Sequence, residues 1–215
     1  MNREILTDKL FSVWIKMPHC RLIRYLYVKK IRNSIEYEQI KGISIISTNC
    51  IGGELYSLLG LQFCSPFINV SIDRKQFVVL CEHLAEFMIT PIKVQKCTNG
   101  SCEAFLSTKD WGEVRIKFPH DTNPQIVEES WNRRKSRINW DRIVLICDDA
   151  GLNQEDILRF DGLSAYKKIM FTGGGHLSSR YGYTLKSIES YNKKSLGGLW
   201  KFTSEWDIVA FFNAR

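Results

Sequence analysis

The sequence has no long uninterrupted apolar run. None of its segments approaches the ~20 consecutive apolar residues that a helix needs to cross a lipid bilayer. The first residues, Met1-Asn2-Arg3-Glu4, are not followed by the apolar core of a secretory signal peptide. We therefore expect a cytoplasmic protein, with peripheral association at the inner face of the membrane as the alternative placement.

The sequence also lacks the cysteine pattern of a disulfide-stapled or zinc-binding protein. Its seven cysteines are odd in number and scattered, at positions 20, 50, 64, 81, 97, 102 and 147. This usage is typical of a reducing compartment. Cys97 and Cys102 lie close together, but they have no neighbouring histidine cluster, and Asn99-Gly100 between them is typical of a hairpin turn. We predict no metal site.

Phosphate-loop and nucleic-acid-binding motifs are missing as well. The clusters Gly173-Gly174-Gly175 and Gly197-Gly198 fit neither G-x-x-x-x-G-K-[ST] nor G-x-G-x-x-G, so they indicate loop mobility only. The formal charge of +7 and a pI near 9.0 indicate an anionic partner. The basic residues follow no nucleic-acid-binding fold signature, so a membrane surface or a phosphorylated or nucleotide-linked substrate is favoured over nucleic acid.

Strand-like and helix-like segments alternate along the chain. At 215 residues, with 44% hydrophobic and 25% charged residues, the chain is suited to one globular domain. We predict a single layered, Rossmann-like α/β domain over 1–215, with an N-terminal helical extension over 1–40 and a core over 41–215. Its mixed, mostly parallel sheet is expected to gain an antiparallel hairpin from residues 89–95 and 104–118.

The N-terminal extension is predicted to hold two helices. The first lies within residues 1–15, and the second runs from about residue 20 to 39, with an apolar stripe opposite basic residues. That pattern suits packing on a core or binding at a membrane interface. Core packing is favoured, because amphipathic helices that cover sheets are far commoner in soluble proteins.

The segment Ile43–Glu54 predicts a strand, a tight loop and the start of a helix. Such a junction lies at the carboxyl end of a strand, where α/β folds bind ligands. It places Cys50 at a helix N-terminus, where the dipole would stabilise the thiolate. Asn49 and Gly52-Gly53 would supply oxyanion donors. The alternative is that Cys50 is a small buried hydrophobe; Ser47 and Thr48 are weaker nucleophile candidates.

His120 is the candidate general base. It follows a predicted strand over 114–118, at a strand end of the kind where catalytic groups gather. There it could take a proton from Cys50 while Asp121 or Asp148 orients its ring. The alternative is a turn histidine before the helix that begins at Asn123-Pro124. Weaker candidates are His83 and His176.

Three arginines lie close together on the helix that follows. Arg133 and Arg137 share one helical face, and Arg134 lies on the next, so their charges repel unless an anion neutralises them. An arginine fork binds phosphate or carboxylate. The alternative is pairing within the chain, with Glu128, Glu129, Asp141, Asp148 or Asp149. Trp131 could stack on a sugar ring or pack in the core.

Four short blocks of the sequence together carry a resemblance to a known family. They are Ser47–Gly53, Leu59–Phe63, Ser65–Asn69 and Trp131–Asn139. In this combination the chain resembles an uncharacterised bacterial exopolysaccharide-biosynthesis family, over roughly residues 40 to 213. It departs from the family pattern at Thr48, where a second asparagine is expected, and at Asp121, where an aromatic residue is expected.

The resemblance implies a role in surface polysaccharide assembly, because similar proteins are typically found in capsule or lipopolysaccharide gene clusters and are sometimes labelled acetyltransferases. We therefore expect transfer of an acyl or other group to an anionic or phosphorylated sugar, with Cys50, His120 and Asn49 as catalytic residues. The donor would be an acyl-coenzyme A or a sugar nucleotide, and no cofactor is expected. Substrate-binding residues are expected at Gly52, Gly53, Ser65, Asn69, Trp131, Asn132, Arg133, Arg134 and Arg137.

Two other functions compete with this one. The chain could be a non-catalytic carbohydrate-binding or phosphosugar-binding assembly protein that uses the same pocket. The basic helix over 20–39 could instead hold the protein at the membrane, near lipid-linked intermediates.

Overall fold

The computed structural model describes residues 21–173, 178–185 and 206–214. The predicted helix within 1–15 lies outside the described residues. So do His176, Gly174-Gly175 and Gly197-Gly198, for which loop mobility was predicted.

The strands alternate with helices, as the sequence predicts for an α/β protein. In chain order the strands are β1 (Ser44–Ser47), β2 (Ser71–Ile72), β3 (Lys93–Lys96), β4 (Cys102–Thr108), β5 (Gly112–Phe118), β6 (Ile143–Asp148), β7 (Lys167–Thr172) and β8 (Gly182–Thr184). The helices are α1 (Arg21–Ser34), α2 (Tyr37–Ile40), α3 (Ile51–Leu59), α4 (Arg74–Glu82), α5 (Leu84–Ile89), α6 (Pro124–Lys135), α7 (Gln154–Gly162) and α8 (Ile208–Asn213).

One sheet is parallel, in the order β1-β6-β7-β8. Its two faces carry alternate residues of the same strands, and both faces are covered. Ile45 of β1 faces α1, α3 and α8, whereas Ile46 faces the opposite side. This burial on both faces is why β6 is apolar almost throughout, and all four residues of β1 are buried as well.

The antiparallel strands form a second sheet, in the order β2-β5-β4-β3. The predicted α/β class is confirmed, but the hairpin of β4 and β5 does not extend the parallel sheet. Its buried residues, such as Leu106 and Ile116, share a core with one face of the parallel sheet. A backbone hydrogen bond links the two sheets where β1 ends, because Ile72 N donates to Thr48 O at 2.9 Å.

Helix boundaries follow local sequence signals in several places. Asp73 caps α4 by accepting hydrogen bonds from the backbone of residues 75 and 76, and Asn123 caps α6 in the same way. The sequence predicts one helix from Asp73 to Met88, but the structure has two helices there, which meet at the non-helical backbone of His83.

The N-terminal helix packs on the core, as the favoured alternative predicts. Tyr27, Ile31 and Ile35 are buried against the parallel sheet and its helices. The predicted continuous helix is interrupted after Ser34, where Asn213 of α8 accepts a hydrogen bond from Glu36 N and donates one to Ser34 O. Among the described residues, no helix is both long and apolar enough to cross a membrane.

Candidate functional site

The carboxyl ends of β1 and β6 lie side by side and gather most of the polar groups of the site. Thr48, Asn49, Asp148 and Asp149 are all buried there, although all are polar or ionisable. Thr48 N donates to Ile146 O at 3.2 Å, which carries the strand pairing to the last residue before the loop. This edge is where open α/β sheets bind their ligands.

The structure brings Cys50 and His120 together at this edge. Cys50 is the N-cap residue of α3, and its Sγ atom lies 3.8 Å from His120 Nε2 and 3.9 Å from Val70 O. His120 is exposed in a turn after β5. The backbone N–H of Asp121 stabilises that turn by donating a hydrogen bond to Phe118 O. The juxtaposition that a thiol–imidazole pair requires is therefore present, while the chemical roles of both residues stay predictions.

The electrostatics of Cys50 differ from the prediction. Burial raises the pKa of the Cys50 thiol, and the negative charge of Glu54 raises it further. Two backbone donors of the first turn of α3 are already used, because Ile51 N donates to Asn49 Oδ1 and Gly52 N donates to Ser47 Oγ. Burial is the largest cause of the raised pKa, so the protonated thiol is the resting form of Cys50.

The predicted oxyanion donors Gly52 and Gly53 have a packing role in this structure. A Cβ atom at Gly52 would lie 2.6 Å from Ser47 Oγ, and one at Gly53 would lie 2.7 Å from Asn69 Oδ1. Both glycines allow α3 to approach its neighbours closely. Gly52 N–H is committed to Ser47 and is not available to an oxyanion.

Asn49 is held in one orientation by the hydrogen bond that its Oδ1 accepts from Ile51 N at 3.0 Å. Its amide nitrogen is buried and has no hydrogen-bond partner among the described residues. A buried donor without a hydrogen-bond partner is energetically costly. The Asn49 amide nitrogen is therefore available, beside Cys50, to donate a hydrogen bond to a ligand.

Ser47 and Thr48 are poorly placed as nucleophiles. Both side chains are buried. The Ser47 hydroxyl donates to Asn49 O at 2.7 Å, and the Thr48 hydroxyl donates to Asp148 Oδ2 at 3.4 Å. These hydroxyls hold the loop in shape, which leaves Cys50 as the better candidate.

Asp148 does not orient His120, contrary to one of the two predicted arrangements. Its carboxylate accepts two hydrogen bonds from the Arg74 guanidinium, each at 2.9 Å, and one from Ala150 N at 3.2 Å. Among the described residues, neither Asp148 nor Asp121 forms a hydrogen bond with His120. Neither predicted arrangement, with Asp148 or with Asp121 orienting the ring of His120, is therefore found among the described residues.

Two charged residues at this edge were not predicted as site residues: Asp149, considered above only as an ion-pair partner of the arginines, and Arg74. Burial raises the pKa of Asp149, although its carboxylate accepts a hydrogen bond from Gly173 N at 3.2 Å. The signal was present, since two adjacent acids directly end a strand that is otherwise apolar. No sequence signal marked Arg74 as a site residue, because a charged residue at the start of a helix is ordinarily exposed.

The other sequence candidates fall into separate places. Trp131 is buried, packed edge-on against Phe67 and Phe118, so it cannot stack on a sugar. Ser65 is buried and accepts a hydrogen bond from Phe67 N, which gives it a loop-forming role. Asn69, at φ 57°, and Asn132 are exposed. His83 lies against Trp111 with ring centroids 3.4 Å apart, in a contact separate from Cys50.

The three arginines do not pair with the acids proposed for them. Among the described residues, Arg133, Arg134 and Arg137 form no ion pair with any carboxylate. Arg134 is half-buried over the ring of Phe63, at 5.2 Å from its centroid.

The described part of the chain holds no cluster of three or more metal-ligating side chains.

Replacement of Glu54 by glutamine is expected to move the pH profile of Cys50 alkylation to lower pH. Removing a negative charge beside the thiol favours the thiolate, which is the reactive form. Iodoacetamide labelling of wild type and Glu54→Gln, followed at the Cys50 peptide by mass spectrometry across a pH series, measures the shift. Glu128→Gln, an equal charge change on the exposed face of α6, should leave the profile unmoved, and an unmoved profile in Glu54→Gln would contradict the prediction.

Comparison with known proteins gives one family and one relative. A family model described as a domain of unknown function (DUF1919) matches residues 23–213. The match includes residues 23–40 of the predicted N-terminal extension over 1–40. A protein of Haemophilus influenzae, described as an uncharacterized protein, is 25% identical over 182 residues, which cover 80% of this chain and 85% of that protein.

Proposed function

The chain belongs to the DUF1919 family, a domain family of unknown function, and from that premise we propose that it is a cysteine-dependent transferase that moves an acyl group to a sugar in bacterial surface polysaccharide assembly. The observation that carries the proposal is the 3.8 Å separation of Cys50 Sγ and His120 Nε2 at the carboxyl edge of the parallel sheet. A nucleophile and a base at such a separation are the minimum machinery of covalent acyl transfer.

In the first step His120 takes the thiol proton of Cys50 as the sulfur attacks the carbonyl carbon of an acyl thioester donor. The bond between that carbon and the donor sulfur breaks. The departing thiolate takes the proton from His120, which leaves an acyl-Cys50 thioester and a free donor thiol. Because the pKa of Cys50 is raised, proton transfer has to accompany attack.

In the second step a sugar hydroxyl attacks the acyl-Cys50 carbonyl and gives its proton to His120. The carbon–sulfur bond breaks, and the Cys50 thiolate recovers the proton. A thioester is replaced by an oxygen ester and no oxidant or reductant is needed. The donor proposed is an acyl-coenzyme A, whose thioester supplies the driving force.

The polysaccharide setting is supported by the resemblance of the four sequence blocks to an exopolysaccharide-biosynthesis family. The proposed place of action is the cytoplasm, at or near the inner face of the membrane where lipid-linked sugars are assembled.

A second candidate is a non-catalytic phosphosugar-binding assembly protein. Two observations favour it: the arginines of α6 have no carboxylate partner among the described residues, and the backbone donors nearest to Cys50 are occupied. In this case the Cys50–His120 pair would line a binding surface without forming a covalent intermediate.

Covalent trapping distinguishes the two candidates. Wild-type protein incubated with short-chain acyl-coenzyme A donors, or with 4-nitrophenyl acetate as a generic activated donor, should gain the mass of one acyl group. Peptide mass spectrometry should place that group on Cys50, and addition of a sugar acceptor should discharge it. Acylation spread over several cysteines, or none at Cys50, would contradict the transferase and favour the binding protein.

A further inference from the structure

The side chain of Arg134 has an unusual environment. Its guanidinium is half-buried and lies over the ring of Phe63. Among the described residues it donates no side-chain hydrogen bond and forms no ion pair. A guanidinium carries five N–H donors, and those of Arg134 are not among the buried donors without a partner, so they remain accessible to an acceptor from outside the chain.

The two neighbouring arginines leave most of their donors unused as well. Arg133 donates to Ser130 Oγ at 3.4 Å, and Arg137 donates to Phe63 O at 3.5 Å, both long contacts. Burial lowers the pKa of Arg134, and the positive charges of Arg133 and Arg137 lower it further. Of the described carboxylates, that of Asp121 acts in the opposite sense.

The helix dipole accounts for only part of this arrangement. Cations are favourable in the last turn of a helix, and α6 carries Arg133, Arg134 and Lys135 there. That effect explains an exposed cation such as Arg133. The dipole does not explain why one face of the Arg134 guanidinium packs on Phe63 while its N–H groups have no partner among the described residues. It also does not explain why Arg137 lies close to Arg134.

We infer that Arg133, Arg134 and Arg137 form a subsite for a phosphate or diphosphate group of the substrate. Three guanidiniums near one carboxylate leave a positive excess that a phosphate monoester, with about two negative charges at neutral pH, matches better than a singly charged uronate. The planar donors of arginine also suit the paired oxygens of phosphate.

The position of the subsite separates it from the Cys50–His120 pair. Arg137 donates to Phe63 O, and the next residue, Cys64, accepts a hydrogen bond from the hydroxyl of Ser44, the first residue of β1. Cys50 lies beyond the last residue of β1, so the two sites lie toward opposite ends of that strand. The subsite names a phosphorylated sugar as the ligand, and only its role in catalysis rests on the proposed function. Sugar phosphates, nucleotide sugars and lipid-linked sugars share this chemistry.

Calorimetry with inorganic pyrophosphate tests the subsite directly. Binding to Arg133→Gln and Arg137→Gln should be about tenfold or more weaker than to wild type, as charge-assisted hydrogen bonds are lost. Lys109→Gln, an equal charge change at the far end of the β4–β5 hairpin, should stay within about twofold of wild type. Arg134→Lys keeps the charge and loses the fork, so it should also weaken binding while the circular dichroism spectrum is unchanged.

Further ligands identify the source of the phosphate. Binding of a hexose 1-phosphate, of uridine diphosphate or of vesicles containing a polyprenyl phosphate, each lost in Arg133→Gln, would support the subsite and name its source. Glucuronate that binds as tightly as pyrophosphate, or pyrophosphate that binds equally to the arginine variants and to wild type, would overturn it. Because Cys50→Ala should bind pyrophosphate as wild type does, the subsite and the thiol chemistry can fail separately.

Discussion

Cys50→Ala is expected to lower the rate of acyl transfer by on the order of 10³-fold or more, because removal of a covalent nucleophile leaves only binding and general electrostatic effects. The rate can be followed as 4-nitrophenolate release from 4-nitrophenyl acetate, a generic donor, in the presence of a sugar acceptor. His120→Asn should reduce the same rate by about 10²–10⁴-fold, which is the usual range for loss of general base catalysis.

Cys64 provides the matched control for Cys50. It is also half-buried, and burial raises the pKa of its thiol too, but it has no contact with His120 among the described residues. Cys64→Ala should therefore retain the wild-type rate. If Cys50→Ala and Cys64→Ala are both folded and Cys50→Ala retains the wild-type rate, a covalent step at Cys50 is ruled out.

Asp148→Ala is expected to lower the free energy of unfolding by about 3–5 kcal/mol, because it leaves the mostly buried Arg74 guanidinium without its anion. The side chains of Asp148 and Arg74 are 1% and 23% exposed, and two hydrogen bonds join them. Urea unfolding followed by circular dichroism measures the loss. The variant also removes an acceptor from the Thr48 hydroxyl, so the loop that carries Cys50 should become less ordered.

Lys41 and Glu38 give the comparison for this ion pair. Their contact is 4.0 Å long and both side chains are mostly exposed, so Glu38→Ala should cost about 0–1 kcal/mol. The double variant Arg74→Met with Asp148→Leu should recover part of the loss, since both buried charges are then absent. A loss in Asp148→Ala no larger than that in Glu38→Ala would show that the pair is not needed for stability.

Local sequence signals predicted those parts of the fold that depend on local chemistry. The sequence predicts a strand over Lys167–Thr172 from a short apolar run, and it predicts Asp73 and Asn123 as helix caps from their side chains. All three are found, because each depends on adjacent residues. The proximity of Cys50 and His120 was predicted for two strand ends of one sheet, whereas the structure brings the two residues together from two different sheets.

Features that depend on distant contacts were not predicted. The break after Ser34 is held by Asn213, which is far away in sequence, and the separation of the two sheets depends on strand pairing that no local pattern encodes. The same limit applies to the site. The pKa of the Cys50 thiol depends on its burial and on the neighbouring Glu54, and both raise it here, whereas its position at a helix N-terminus predicted a lowered pKa.

The hydrogen bond between Ile72 N and Thr48 O has a mechanical consequence for the site. The thiol follows a strand of the parallel sheet, and the imidazole follows a strand of the antiparallel sheet that pairs with β2. The distance between Cys50 Sγ and His120 Nε2 therefore depends on how the two sheets are packed against each other. A small shift of one sheet relative to the other would separate Cys50 from His120 while every strand and helix stayed intact.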